Sequence, residues 1–445
     1  MVPGSMDLLV RGGTVVTCDA DDRVLSGDVL VRDGVIVAVG ADASASARFP
    51  HRVLDASRCA VVPGFVQAHV HLVQVLFRGM ADDLPLLTWL KERIWPLEAA
   101  HDDASLRASA ELGLLELLKH GTTTILDMGT THGHEVVLDA IDRFGLRARS
   151  GKAMMDLGEG VPSRLCESTD ASLREVEAHA RVYASHPRIR VAVSPRFILS
   201  CSERLFREGA AFANQHGLVF HTHAAEHADE RKAVRELLGD DDIALLARWG
   251  ASGPRTVLAH GVQLSDAEMR GLAEAGTRIA HCPSANLKLG SGIAQVHALR
   301  RAGVVVGLGA DGAPCNNNLD ALTELRHAAL LAKARSGTDT LPAREALRLA
   351  TIEGAKVLGM DAEIGSLEVG KRADLVVVDL SGAHAEPGGD AVSRVVYACR
   401  ANDVRHVVLD GEVRVRDGAL LDLDEESILA VARQEAIKTR ERAGL

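Results

Sequence analysis

Hydrophobic residues come in short β-branched runs at both ends of this chain and follow a different rhythm between them. From Asp7 to Gly40 the segments LLVRGGTVVTC, DVLVRDG and VIVAVG are separated by Gly and Asp turn formers, which predicts antiparallel strands. The same grammar returns near the C-terminus as ADLVVVDL, RHVVLDG and EVRVRDG. The two ends are therefore expected to build one small β-sandwich. Pro63-Gly64 marks the exit from its first part, and Gly365-Ser366 to Lys371 the entry to its second. These signals divide the chain into a β-sandwich domain at 6–62 and 364–445 and a second domain at 63–363.

Inside 63–363, short apolar strands alternate with longer amphipathic segments, the pattern of parallel β/α units. Eight candidate strands stand out: Phe65–His71, Thr122–Met128, Arg147–Met155, Ile189–Arg196, Leu218–His223, Thr256–His260, Arg278–His281 and Val304–Asp311. Eight such strands close a (β/α)8 TIM barrel, so the expected class is α/β. Such barrels carry their chemistry at the C-terminal ends of the strands.

Composition narrows the partners. The 445 residues include 50 basic and 61 acidic ones, a formal charge of −11, which argues against a nucleic-acid surface and for a small neutral or cationic substrate. Apolar runs such as Leu375 to Val378 are broken by charge well before the ~18 residues of a membrane span. Seven cysteines form no C-x-x-C pair and cannot all pair within one chain, which favours a reducing cytoplasm. Met1 to Ser5 lacks the basic and apolar regions of a signal peptide and reads as a leader added ahead of Met6.

Polar residues at the strand ends supply the candidate chemistry. His69 and His71 are two apart on a strand and project to one side, so they can share an ion. His223 closes the fifth strand, His260 the sixth, His281 the seventh and Asp311 the eighth. Imidazoles from several strands with one carboxylate suit a single divalent ion such as Zn2+, with Fe2+ or Mn2+ as alternatives, and a position left for water. His221 points the same way as His223, and only one of them need bind. His281 is open between an outer-shell and a structural place. Lys152 is disfavoured as a carbamylated bridge, which leaves a one-metal site.

PGFVQAHVH, HTHAAE, LAHG, HCPSANLKLGSG and LGADGAPCNNNLD resemble, in order and spacing, the amidohydrolase superfamily branch of adenosine-type deaminases, guanine deaminase and s-triazine hydrolases. The resemblance runs from Asp7 to the C-terminus, including the ending EIGSLEVGKRADLVVVDL. It implies that His69, His71, His223 and Asp311 hold one metal, and that Glu226 and His260 lie beside the reacting water. A metal of this kind lowers the pKa of its water to about 7. Asp311 would then accept a proton, Glu226 donate one to a ring nitrogen, and His260 steady the charge that develops on oxygen.

The substrate is implied less uniquely. HLVQVLFRGMADDLPLLTWLKERIWPLE resembles the first loop of deaminases of 5'-deoxyadenosine, methylthioadenosine or S-adenosylhomocysteine, with Trp89 a candidate lid or stacking aromatic. Leu87 and Thr88 stand where methylthioadenosine deaminases usually carry an acid. SPRFILSCSERL is closer to guanine deaminase, in which residues matching Gln74 and Arg196 contact the purine. The reading carried forward is hydrolytic deamination of an adenine-ring nucleoside. Guanine or a pterin is the nearest alternative, then s-triazine dechlorination by the same chemistry, and last a non-catalytic purine-binding protein. The partner expected is a small aminopurine or related heterocycle, with the chain forming a homo-oligomer as family members often do. Asn316, Asn317 and Asn318 either shape a loop or touch substrate.

Overall fold

Strands from the two chain ends meet edge to edge in one sheet. The computed structural model describes residues 6–445, and Met1 to Ser5 lie outside the described residues. The N-terminal segment supplies β1 (Asp7–Val16), β2 (Val24–Arg32), β3 (Val35–Gly40), β4 (His51–Asp55) and β5 (Cys59–Pro63). The barrel follows with β6 (Phe65–Val70), β7 (Thr122–Met128), β8 (Arg147–Gly151), β9 (Ala153–Met154), β10 (Ile189–Pro195), β11 (Val219–Ala224), β12 (Thr256–His260), β13 (Arg278–His281) and β14 (Val306–Leu308). The C-terminal segment returns with β15 (Leu375–Asp379), β16 (Val404–Leu409), β17 (Glu412–Arg416) and β18 (Ala419–Leu420).

The end sheet runs β18-β17-β16-β15-β5-β1-β2-β3, with β4 added beside β1. Its seam is the antiparallel pairing of β5 with β15, from Cys59 opposite Asp379 to Pro63 opposite Leu375. The sheet shares one core across its two limbs: Val29, Val31 and Ile36 pack in the same apolar cluster as Val377, Val408 and Val413. Alternate strand residues thus face inward, as in a small sandwich.

The barrel strands are parallel and run β6-β7-β8-β10-β11-β12-β13-β14, with β9 pairing β10. Their continuous apolar runs suit strands covered on both faces, and every residue of Thr122–Met128 is buried. The ring closes where β14 returns to β6: Asp311 N donates to His69 O at 3.0 Å, and Val70 bridges Asp311 in parallel. Two strands are shorter than the sequence suggests. The third is interrupted at Lys152, whose ammonium is drawn aside by Glu167 and Glu175. The eighth keeps ladder pairing only over Val306–Leu308, because Gly309 lies against His69 so closely that a Cβ would stand 2.9 Å from the His69 Cβ.

The last helix, Glu425–Ala443, packs on the barrel side of the molecule. Ala432 shares a cluster with Leu76, Phe77, Leu97 and Ala108, and Lys119 pairs with Glu425 at 2.7 Å. Among the described residues no helix is long and apolar enough to cross a membrane. All seven cysteines are free.

Candidate metal centre

Four side chains from three strands converge at the C-terminal mouth of the barrel. One ligand atom each from His69, His71, His223 and Asp311 lies within 4.8 Å of the others. β6 delivers His69 at its end, with His71 just beyond it, and β11 delivers His223. Asp311 follows β14 in a left-handed conformation, φ 63°. His260 closes β12 at φ 77°, and Ala225, between His223 and Glu226, is at φ 51°. Left-handed backbone at three non-glycine residues is costly and clusters where side chains must be aimed.

The histidine tautomers are set from behind. His71 Nδ1 donates to Met128 O at 2.8 Å, and His223 Nδ1 donates to Arg196 O at 2.7 Å. Each ring therefore presents a bare Nε2, and these two nitrogens face one another at 3.2 Å. Two lone pairs so placed repel unless a cation lies between them. His69 Nε2 is buried with no hydrogen-bond partner, 3.2 Å from Asp311 Oδ1. Its Nδ1 meets His221 Nε2 at 3.0 Å, so His221 supports His69 from outside the cluster.

Electrostatics agree with a donor set. Burial, and then the neighbouring His69, push the His71 pKa down to about 3, and burial holds His223 well below the usual histidine range. Neutral imidazole is the ligating form. For Asp311, burial opposes ionisation, but the close approach of His69 Nε2 and the other histidines around it outweighs burial and holds the carboxyl well below its ordinary range. Three imidazoles and one carboxylate suit a borderline-soft divalent cation, so the residues present fit the expected metal.

Beside this cluster stand two more groups. His260 Nδ1 donates to Asn286 Oδ1 at 2.9 Å, and its Nε2 lies 3.4 Å from Glu226 Oε2 and 3.8 Å from Asp311 Oδ2. Burial, then the charge of Asp311, raise the Glu226 pKa well above the usual carboxyl value, with Arg196 opposing. The pKa values of two carboxyl groups in one site are thus pushed in opposite directions. The Glu226 loop is clamped: Ala225 N donates to Asp242 Oδ2 at 2.6 Å, and Glu226 N donates to Glu230 Oε2 at 3.2 Å.

Gln74, Trp89, Arg196 and Glu226 line one pocket with His71, His223 and Asp311, and Leu86 and Leu90 complete its wall. Its volume is about 30 Å³, enough to hold water. Gly312 makes space for the Gln74 amide, since a Cβ there would stand 2.1 Å from Gln74 Oε1. Sequence reading missed Glu98, which is buried and joins two of these residues: Gln74 Nε2 donates to it at 2.8 Å and Arg196 Nη1 at 2.6 Å. The available signal was an acid four residues after Ile94 on the buried face of a helical segment.

Other candidates fall outside the pocket. His281 is buried, and burial, then His260, lower its pKa to about 3, but it is not part of the four-residue cluster. Asn316 Nδ2 donates to Ala310 O at 2.7 Å, Asn317 Oδ1 accepts from Lys288 Nζ at 2.9 Å, and Asn318 Oδ1 accepts from Asp320 N at 2.7 Å. All three build the loop after Asp311.

Known proteins place the fold in a lineage. The chain is 41% identical over 442 residues to a 5-methylthioadenosine/S-adenosylhomocysteine deaminase of Halobacterium salinarum, covering 98% of this chain and 99% of that one. It is 36% identical over 441 residues to a 5'-deoxyadenosine deaminase of Methanosarcina acetivorans, covering 98% and 99%. The solved structure of an adenosine deaminase from Xanthomonas campestris with bound zinc superposes with a TM-score of 0.93 at 35% identity, covering 99% of this chain and all of that one. The amidohydrolase family model matches residues 60–414, and on these grounds the chain belongs to the amidohydrolase family.

Proposed function

We propose that this chain is a hydrolytic deaminase of adenine-ring nucleosides of the 5'-deoxyadenosine, methylthioadenosine or S-adenosylhomocysteine type. The observation that carries the reading is the placement of two carboxyls, Glu226 and Asp311, 3.4 and 3.8 Å from the same His260 nitrogen, with burial pushing the first pKa up and the neighbouring histidines pulling the second down. His69, His71, His223 and Asp311 would hold the divalent cation, and zinc is the ion that the Xanthomonas structure supports. When bound there, the cation lowers the pKa of a water and makes hydroxide available near neutral pH.

The chain's own groups supply the proton movements. Glu226 donates to a ring nitrogen, which makes the carbon bearing the amine electrophilic. Asp311 takes the proton of the attacking water through Oδ2. His260 Nε2, between the two carboxyls, can accept a proton, and as imidazolium it offsets the negative charge on the new oxygen. A C–O bond forms, the exocyclic C–N bond breaks, and the amine leaves as ammonia with the transferred proton. Residues 63–363 form the catalytic unit in this reading, with the sheet from both chain ends as its companion.

Guanine recognition through Gln74 and Arg196 is less well supported, because both donate to Glu98 and so hold one another along the wall. The test is ammonia release by the zinc-loaded protein from 5'-deoxyadenosine, methylthioadenosine, S-adenosylhomocysteine, adenosine, guanine, a pterin and an aminotriazine. Turnover of the adenosines, lowered about 10²–10⁴-fold in Glu226→Gln with metal content unchanged, is the expected result. Turnover of guanine or pterin alone would move the substrate to Gln74 and Arg196. Chloride release from a halogenated triazine without deamination would refute the nucleoside reading.

A further inference from the structure

A second cavity lies at the opposite end of the barrel from the metal centre. Arg190 near the start of β10 and Leu218 just before β11 form part of its wall, whereas Arg196 and His223 stand at the far ends of the same strands. The cavity has a volume of about 520 Å³, and its wall also carries Arg149, Tyr183, Phe212, His216 and the ion pair of Arg181 with Glu177. Arg149 and Arg190 are register partners on the neighbouring parallel strands β8 and β10, so they stand side by side.

The arginines around this corner divide into two groups. Arg147 is engaged by Asp374 at 3.0 Å and Asp410 at 2.7 Å, Arg188 by Asp142 at 3.0 Å, and Arg181 by Glu177 at 3.1 Å. Among the described residues, Arg149 and Arg190 have no carboxylate ion-pair partner. Arg190 Nη1 donates to the carbonyls of His186 and Ile189, the latter at 2.9 Å. Arg149 Nε is buried with no acceptor. Burial and the fields of Arg190 and Arg147 pull the Arg149 pKa down, and Glu363 attracts it without forming an ion pair.

Two guanidiniums placed together without a carboxylate in contact destabilise the fold, although this chain has acids to offer: 61 of them, for a net charge of −11. A dianion that accepts from both forks resolves the repulsion, and phosphate geometry matches paired guanidinium donors. The rings of Tyr183 and Phe212 give the same cavity apolar faces. We propose that this cavity binds a phosphomonoester, with its phosphate between Arg149 and Arg190 and its organic group against Tyr183 and Phe212.

Calorimetric titration of the full-length, zinc-loaded protein with inorganic phosphate and with phenyl phosphate tests this. Inorganic phosphate is expected to bind with Kd of about 1 mM or tighter, and phenyl phosphate about threefold tighter still. Arg149→Met should weaken both by about tenfold or more and leave nucleoside turnover unchanged. In phosphate-free buffer its melting temperature should equal or exceed the wild-type value, since a like-charge contact is gone. Arg149→Lys, which keeps the charge and loses the fork, substitutes if the methionine variant does not fold, and is expected to weaken phosphate as well. Absence of phosphate binding by about 10 mM, equal affinity in wild type and variant, or a lower phosphate-free melting temperature for Arg149→Met would overturn the site. Phenyl phosphate binding no tighter than phosphate would overturn the aromatic part of it.

Discussion

Glu324 is fully buried, and its carboxyl oxygens accept from Ser284 N at 3.1 Å and Asn316 Nδ2 at 2.9 Å. Burial outweighs those bonds and pushes its pKa from 4.5 up to about 7. The folded state therefore keeps a proton that the unfolded chain has released across that window. Stability falls as pH rises through it, and the loss is complete above pH 7. Glu324→Gln cannot ionise, so it should remove a pH-dependent loss on the order of 3 kcal/mol. Melting curves of the two proteins are expected to converge at acid pH and to separate in favour of the variant towards pH 8; parallel curves would contradict this. Residues of this kind are hard to read from sequence. His69, His71, His223 and Asp311 announce themselves because they sit at strand ends in a recurring pattern. Glu98 and Glu324 look like solvated helix acids until their partners, Arg196 for one and Ser284 for the other, arrive from distant positions.

The segment Leu86–Ala99 is a single helical stretch whose middle widens to a π turn over Leu90–Ile94. Such turns interrupt regular helices mostly at functional places. Here the widening follows Trp89, which is buried on the pocket wall with its indole Nε1 unpartnered among the described residues. A buried donor without an acceptor destabilises the resting protein, and a polar ligand atom would satisfy it. Trp89→Phe should then raise KM for the nucleoside about five- to tenfold, while the melting temperature holds or rises. An unchanged KM would make Trp89 a packing residue. At this scale the chain was largely legible: seven of the eight barrel strands lie within the stretches that their apolar runs mark, and the fifth, Val219–Ala224, overruns its stretch by one residue. The exceptions were local and had causes, Lys152 drawn away by two acids and Gly309 pressed against His69. The 3-10 turn Leu72–Phe77, which carries Gln74, has no period that would distinguish it from a strand continuing past His71.

Arg147 ties the barrel to the end sheet. It is buried, and it binds Asp374 just before β15 and Asp410 just after β16, while Arg372 also reaches Asp410 at 2.6 Å. Removing one partner of a buried ionic cluster strands the others, so Arg147→Ala is expected to cost about 3–5 kcal/mol in denaturant unfolding. A loss below about 1 kcal/mol would mean that the network is dispensable. Composition and periodicity could not reveal this link, since the partners lie more than two hundred residues along the chain. The pairing of β5 with β15 has a further consequence, in time rather than space. When β5 leaves the ribosome, its partner has not yet been made. Roughly 300 residues must follow, which at about 5–20 residues per second takes roughly 15–60 s. Throughout translation the Val-rich edge Cys59–Pro63 stays open to other nascent chains. The step at which this protein is most exposed to aggregation is therefore its synthesis, before the C-terminal strands arrive to cover that edge.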